Sequence, residues 1–200
     1  MSKLEKLFVE NVTELRDWLK ENHSNKESVW LVKWKKDFGK TFLSYDDIVD
    51  ELMCFGWVDS LPRKLDNKRT MLRISPRNPK SNWSKVNKER IERLTKSGRM
   101  QLPGLRMVEN AKRNGTWDFL NDVENLIIPS DLAEAFKVND KAKYYFERFP
   151  DSSKRGILEW IKNAKQESTR QKRILETVSK AVQNIKANHP KGRDAGPKDA

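Results

Sequence analysis

The sequence contains few of the side chains from which metal centres and catalytic sites are usually built. Its 200 residues include one cysteine, Cys54, and two histidines, His23 and His189. These three residues fall in separate predicted elements, so they cannot assemble the Cys and His ligand cluster of a zinc site. A Ser-His-Asp triad would depend on His23, since His189 lies in a polar tail. We therefore predict no metal, no cofactor and no catalytic residue, and we favour a protein that is not an enzyme.

Long apolar segments and glycine-rich phosphate loops are also missing. No apolar run approaches the ~20 residues of a membrane-spanning helix, so we expect no membrane insertion. Residues 1–10 lack the basic and apolar blocks of a signal peptide. The sequence has neither a P-loop nor a dinucleotide-binding fingerprint. Because the lone Cys54 also excludes an intramolecular disulfide, we expect a cytoplasmic protein.

Aromatic residues and basic charge are abundant instead. Seven Trp and eight Phe are more than disordered proteins contain, so most of the chain should fold. The formal net charge is +12, and the window 60–100 alone holds thirteen basic and three acidic residues, a net of +10. Localised charge can act on a partner, whereas diffuse charge mostly aids solubility. The predicted basic patch consists of Arg63, Lys64, Lys68, Arg69, Arg73, Lys80, Lys85 and Lys88.

The hydrophobic pattern predicts an α+β first half and a helical second half. The first half should contain strands over 28–36, 57–65 and 70–74, with turns at 37–40 and 66–68. Its helices should begin at Asn11, at Ser44, at Ser81 or Asn82, and at Pro103.

The second half should contain helices over 131–137, 141–149, 153–164 and 168–186. We therefore divide the chain into an α+β domain with a basic loop-helix region (1–118), a helical C-terminal module (119–187) and a disordered tail (188–200).

Two segments of the first half predict a shallow binding site. Pro76 and Pro79 stiffen a loop that leads into a helix N-terminus, where backbone N–H groups and partial positive charge favour an anion. The motif 55–60 could supply the opposite wall. A structural role fits equally well, with Ser81 capping the helix and Trp83 packed in the core. The candidate ligand-binding residues are Trp57, Asp59, Arg77, Ser81, Trp83, Ser84 and Asn87.

Several long motifs resemble the YdeI/OmpD-associated family, also called bacteriocin-protection proteins. They are Cys54-Phe55-Gly56-Trp57-Val58-Asp59-Ser60, Pro76-Arg77, Ser81-x-Trp83-Ser84-x-x-Asn87, Ile128-Pro129-x-Asp131-Leu132, Trp160-Ile161-x-x-Ala164-Lys165 and Thr169-Arg170-x-Lys172-Arg173-Ile174. The resemblance covers about residues 8–186. It implies a small YjbR/CyaY-like α+β first half, with a short antiparallel sheet and helices, and a helical module. It also implies a cytosolic bacterial protein linked to tolerance of antimicrobial peptides, with no established catalytic residues.

Three hypotheses remain open at this point. The leading one is a non-enzymatic binding protein whose basic patch engages an anionic partner, such as a nucleic acid, an acidic protein or a phosphorylated envelope precursor, under antimicrobial-peptide or envelope stress. The second is a small-molecule-binding protein or enzyme, in which Arg77 orients an anionic ligand and Asp59 is the titratable acid. The third is an adaptor whose helical module docks another protein near Trp160. The oligomeric state stays open.

Overall fold

Two compact units make up the chain, Met1–Phe119 and Leu120–Ala200. The structure is a computed structural model, and it describes residues 4–36, 38 and 43–188. Most of the predicted turn at 37–40 and almost all of the predicted tail lie outside these residues. Within the described ranges, no helix is long and apolar enough to cross a membrane, and no group of three or more potential metal-ligating side chains occurs.

A four-stranded sheet in the order β1-β2-β4-β3 organises the first unit. Its strands are β1 (Lys6–Phe8), β2 (Val29–Trp34), β3 (Trp57–Lys64) and β4 (Arg69–Pro76). β2, β4 and β3 pair antiparallel, whereas β1 pairs parallel with β2. The expected antiparallel sheet is therefore a mixed one, because a fourth strand joins its edge. The Asp66 carboxylate closes the predicted hairpin turn by accepting the backbone N–H groups of Lys68 and Arg69.

Four helices complete the first unit: α1 (Val12–Asn22), α2 (Tyr45–Cys54), α3 (Lys85–Lys96) and α4 (Leu102–Arg113). Asn11 and Ser44 cap α1 and α2, as predicted. The predicted start of α3 was wrong. Ser84 is its cap, with its hydroxyl oxygen 3.4 Å from the Asn87 backbone nitrogen. Ser81 instead lies in a turn, where its N–H donates to the Asn78 carbonyl.

Strand alternation gives the sheet two different faces. The inner face carries Leu31, Leu72 and Ile74, which are buried in one core cluster with residues of α1 and α2. The opposite register positions form the outer sheet face. Val32 belongs to that face, and although it is buried it lies outside the core cluster. The outer sheet face consists of Lys6, Phe8, Trp30, Val32, Trp34, Arg63, Arg69, Met71 and Arg73.

Two buried carboxylates on α2 hold basic residues of α3 and of the segment that follows it. Asp50 accepts hydrogen bonds from Arg90 at 2.5 Å and Arg93 at 2.8 Å. Glu51 pairs with Arg16 at 2.7 Å and Arg99 at 2.5 Å. Burial opposes the charged form of Asp50, but the hydrogen bonds from the two arginines outweigh it, and its pKa lies below the ordinary value. Part of the positive charge of the window 60–100 is therefore neutralised inside the fold.

The second unit is helical, which confirms the predicted fold class. Its helices are α5 (Asn121–Glu124), α6 (Ser130–Lys137), α7 (Asp140–Arg148), α8 (Asp151–Lys162) and α9 (Glu167–Ala181). The last helix ends five residues before the predicted Lys186, and Asn184 in the turn beyond it has φ of 57°. Leu132, Phe136 and Phe146 are almost fully buried in this unit.

Candidate functional site

Four of the seven predicted ligand-binding residues line a single cleft of about 360 Å³, here called the Arg77 cleft. They are Trp57 and Asp59 of β3, Arg77 just after β4, and Asn87 of α3. The hydrogen bond from the Arg77 N–H to the Gly56 carbonyl, 2.9 Å long, ties the end of β4 to the start of β3. The remaining lining residues are Tyr45, Val49, Leu52, Met53, Val58, Val86 and Arg90.

The other three predicted residues, Ser81, Trp83 and Ser84, do not line this cleft. Ser81 and Ser84 lie in the turn and at the cap described above. Trp83 is buried, with its ring centroid 5.1 Å from that of Trp117. Its indole therefore packs in the core of the first unit and serves as the surface on which Arg77 rests.

Arg77 is a buried cation without an acidic partner among the described residues. Its side chain packs over the Trp83 ring, with Cζ 3.8 Å from the ring centroid. Nη2 donates to the Asn82 carbonyl at 2.6 Å, and Nε is buried with no hydrogen-bond partner. Burial lowers the pKa of Arg77 to about 10. The cleft is therefore lined by a positive charge that the described fold does not neutralise.

Asp59 is engaged by a neighbour other than Arg77. Its carboxylate accepts a hydrogen bond of 2.9 Å from the Tyr45 hydroxyl. Burial and then this bond raise the pKa of Tyr45 to about 12, so the phenol stays protonated at neutral pH. Tyr45 was not predicted as a site residue. It continues the apolar stripe formed by Ile48, Val49 and Leu52 of α2, and residues of such a stripe are normally in the core. Beside Arg90, which is paired with Asp46 and Asp50, the cleft thus offers one cation without an acidic partner among the described residues, one carboxylate and a hydroxyl above an apolar floor.

The predicted basic patch is distributed over more than one surface. Arg63, Arg69 and Arg73 share the outer sheet face by register, and Lys68 lies in the hairpin turn beside them. Lys64 alternates to the other face of β3. Lys80 lies in the loop after β4, and Lys85 and Lys88 lie on α3, which packs against α2. Sequence position placed these residues together, but the helical layer separates the α3 lysines from the outer sheet face.

On the outer sheet face, arginines alternate with aromatic rings. The Arg63 guanidinium lies over Trp30, with Cζ 5.2 Å from the ring centroid. Arg69 lies between Phe8 at 5.8 Å and Trp34 at 5.9 Å. Phe8 is 57% exposed, which is unusual for a phenylalanine in a sheet. From the sequence we predicted a strand here but not which side of the sheet carries these rings. The two-residue spacing of Trp30, Val32 and Trp34 is the signal that places them on one face.

Two clefts open beside Arg69 on this face. One, of about 290 Å³, is lined by Phe8, Val32 and Trp34, and the other, of about 480 Å³, by Trp34 and the hairpin turn. Arg69 itself pairs with Asp66 at 2.7 Å. Arg63 and Arg73 are exposed and have no acidic partner within the described part of the chain. The outer sheet face therefore combines uncompensated guanidinium groups with aromatic rings, one of them exposed and two partly buried.

A further groove, of about 700 Å³, lies between α3 and α4 and has a different character. Its rim carries both lysines and glutamates, among them Lys85 and Glu89, which lie 3.9 Å apart. Lys88 and Lys112 cover the Trp117 ring, with Nζ 5.6 and 5.4 Å from its centroid. Because positive and negative charges alternate here, this groove offers no concentrated field for an anion.

Two family models match the chain, one in each unit. Residues 7–107 match a model described as a domain of unknown function (DUF8412), which covers the sheet and its helices. Residues 125–184 match the model described as Bacteriocin-protection, YdeI or OmpD-Associated. No curated protein and no solved structure gives a significant match. The predicted relationship is thereby confirmed, and the match that carries it lies in the helical unit.

Proposed function

We propose that this chain, which belongs to the DUF8412 family and carries a YdeI/OmpD-associated module, is a non-enzymatic protein that binds single-stranded nucleic acid. The family match indicates a bacteriocin-protection or YdeI-type role. The nucleic-acid proposal rests on the outer sheet face, where three arginines alternate with three aromatic rings, of which Phe8 is exposed and Trp30 and Trp34 are partly buried. A cytoplasmic location, where such nucleic acid is present, is part of this proposal.

The aromatic rings supply the contacts that a single strand uses. Unpaired bases stack on exposed aromatic side chains, and each stacked base contributes roughly 1–3 kcal/mol. Trp30 and Trp34 are four residues apart on β2, which separates them by roughly 13 Å along the strand. This distance leaves room for separate bases. A duplex cannot use these rings, because its bases are already stacked.

The arginines supply the phosphate contacts. Arg63 and Arg73 present planar guanidinium groups, which pair with phosphate oxygens through two parallel hydrogen bonds. Arg73 Nη2 is held by the Ser28 hydroxyl at 3.2 Å, so its position beside Trp30 is partly fixed. An acidic protein partner would use the same charges but would leave the accessible rings unused. The observed alternation therefore favours nucleic acid over an acidic protein.

The sign of the net charge argues against direct capture of the peptide as the link to bacteriocin protection. A chain with a formal net charge of +12 repels cationic peptides. Protection through a nucleic-acid partner agrees with the sign of the charge.

Binding is tested by fluorescence anisotropy with a labelled oligothymidylate of about twelve nucleotides, against a duplex of equal length. We expect measurable affinity for the single strand at about 50 mM salt and a slope of log affinity against log salt near −2, for roughly three phosphate contacts. The double variant Arg63→Gln/Arg73→Gln should bind at least tenfold more weakly, and Trp30→Ala should lose about tenfold.

The matched control is Lys80→Ala/Lys85→Ala, which removes two exposed lysines away from the outer sheet face. Its affinity should fall less than threefold. No binding at low salt, a preference for the duplex, or an equal loss in the lysine control would each contradict the proposal. Circular dichroism of every variant establishes that the fold is retained.

A further inference from the structure

We propose that the Arg77 cleft is a second, separate binding site, for a small organic molecule that carries a phosphate or carboxylate group. The site lies on the inner side of the sheet, between α2, β3 and α3, and shares no lining residue with the outer sheet face. This inference does not depend on nucleic-acid binding.

Arg77 has no counter-charge among the described residues. The buried charged residues of the described chain are Asp50, Glu51 and Arg77. Both acids are matched by arginines, whereas the Arg77 side chain donates one hydrogen bond, to a carbonyl, and has a buried Nε without a partner among the described residues. Burial of a charge is costly unless the charge is paired. An anionic ligand would supply the pairing that the described residues do not provide.

The lining of the cleft is largely apolar, with one arginine that is not engaged by an acid of the described chain. Trp57, Leu52 and Met53 form an apolar floor, and a volume of about 360 Å³ matches a metabolite-sized molecule. Arg90, the other arginine that lines it, is already committed to Asp46 and Asp50. Arg77 is therefore the cation available to orient an anion. An apolar or aromatic body attached to the anionic group would rest on the floor.

Asp59 lies along the cleft from the cation, since it pairs in register with Ile74, three residues before Arg77. Asp59 accepts one hydrogen bond, from Tyr45, and a carboxylate has capacity for several more. It would repel a free dianion that filled the whole cleft, but it would accept a hydroxyl or amine of an extended ligand. The pair Arg77 and Asp59 therefore selects a molecule with an anionic group at one end and a hydrogen-bond donor at the other.

The contact with Trp83 gives Arg77 a structural role that is compatible with ligand binding. Stacking of the guanidinium on the indole fixes the plane of the group and holds it in the cleft wall. It leaves the charge itself uncompensated, because a ring face carries no formal charge.

The test uses the full chain and ¹H-¹⁵N NMR of the tryptophan indole N–H groups, with phenyl phosphate, benzoate, tyramine and inorganic phosphate as probes. We expect phenyl phosphate or benzoate to shift the Trp57 resonance in a saturable way and to bind at least tenfold more tightly than tyramine, whose ammonium group would pair with Asp59 alone; equal or tighter binding of tyramine would overturn the assignment to an anion. Inorganic phosphate distinguishes recognition of the anion alone from recognition of the attached body. No saturable shift with either aromatic anion would overturn the proposal.

The variants separate this site from the outer sheet face. Arg77→Met should weaken binding of the responding probe at least tenfold, whereas Arg73→Met, which removes an exposed arginine of the outer sheet face, should leave it within twofold. Equal affinity for wild type and Arg77→Met, or an equal loss in Arg73→Met, would overturn the assignment. If Arg77→Met does not fold, Asn87→Ala takes its place, with a loss of at least threefold expected and an unchanged affinity counting against the site. Loss of oligothymidylate binding has no bearing on these readouts.

Discussion

Replacing Arg77 by methionine measures how well the free protein accommodates this buried cation. The change removes the charge and keeps an unbranched apolar stem beside Trp83. Burial lowers the pKa of Arg77 from 12.5 to about 10, which corresponds to roughly 3 kcal/mol against the charged form. The hydrogen bond to the Asn82 carbonyl and the stacking on Trp83 each offset about 1–2 kcal/mol of this. Because the opposing effects nearly cancel, we expect the free energy of unfolding to change by less than about 1 kcal/mol.

Asp50→Asn is the matched comparison, because Asp50 is buried to a similar degree but is fully paired. Removing one partner of a buried ion pair leaves uncompensated charge and costs about 3–5 kcal/mol. Arg93 is more than half exposed and can recover its hydration, whereas Arg90 is mostly buried. We therefore expect a loss near the lower end of that range, about 3 kcal/mol.

Both variants are compared by urea denaturation at pH 7, followed by tryptophan fluorescence and circular dichroism. We expect a difference of about 2 kcal/mol or more between the two variants. If Arg77→Met lost as much stability as Asp50→Asn, Arg77 would be a fully compensated structural residue. An anionic ligand in the Arg77 cleft would then have no uncompensated charge to pair with.

Three further changes test the packing and titration of the first unit. Gly104→Ala should lower the free energy of unfolding by about 1–3 kcal/mol, because a Cβ there would lie 2.4 Å from the Cys54 carbonyl oxygen. The control Gly156→Ala, with open space around it, should be neutral or stabilising. Equal shifts of the melting temperature in the two variants would contradict the expected clash. Burial raises the pKa of the Cys54 thiol to about 11. The stability contributed by the buried neutral thiol is therefore present below pH 9 and is lost as the pH rises through 11. Rapid thiol labelling of the native protein at pH 8 would contradict the burial of Cys54. Asp59→Asn should lower the pKa of Tyr45 from about 12 towards 10, measured by ultraviolet titration, and an unchanged midpoint would show that burial alone sets it.

The elements with local signals were predictable from the sequence. Asn11 and Ser44 cap their helices because a side-chain oxygen reaches a backbone N–H three residues ahead, which depends on residue type and spacing alone. Asp66 marks the hairpin for the same reason, since its carboxylate accepts from the backbone N–H groups two and three residues ahead. In these cases a few adjacent residues contain the whole interaction.

Elements that depend on distant contacts were missed or misplaced. β1 has three residues with one inward apolar side chain, Leu7, and no periodicity can emerge over that length. The start of α3 had several serines and asparagines as possible caps. Ser84 is the residue that caps the helix. The residue before it, Trp83, is buried against Trp117, 34 residues further along, and the local sequence does not reveal this contact. α5, with four residues, is likewise too short to give a pattern.

The residues that line the Arg77 cleft could be predicted in part from the sequence. The net surface charge of the window 60–100 was overestimated. The sequence motifs 55–60 and 76–84 suggested that Trp57, Asp59 and Arg77 lie near one another, and all three line the Arg77 cleft; their role in binding stays a prediction. The net +10 of the window 60–100 was misleading in a different way. Its neutralising acids, Asp50 and Glu51, lie on α2 outside the window, so a count along the sequence cannot include them.

The two proposed sites are built on opposite faces of one strand, and an irregularity in that strand separates them. In β3 the register with β4 shifts between Asp59 and Pro62. Before the shift, Asp59 lines the Arg77 cleft on the inner side; after it, Arg63 projects from the outer sheet face onto Trp30. A regular strand would place residues 59, 61 and 63 on one face, because side chains alternate with a period of two. The shift allows an acid and a base four residues apart to serve different surfaces, which prevents Asp59 from neutralising the arginine that the outer sheet face requires.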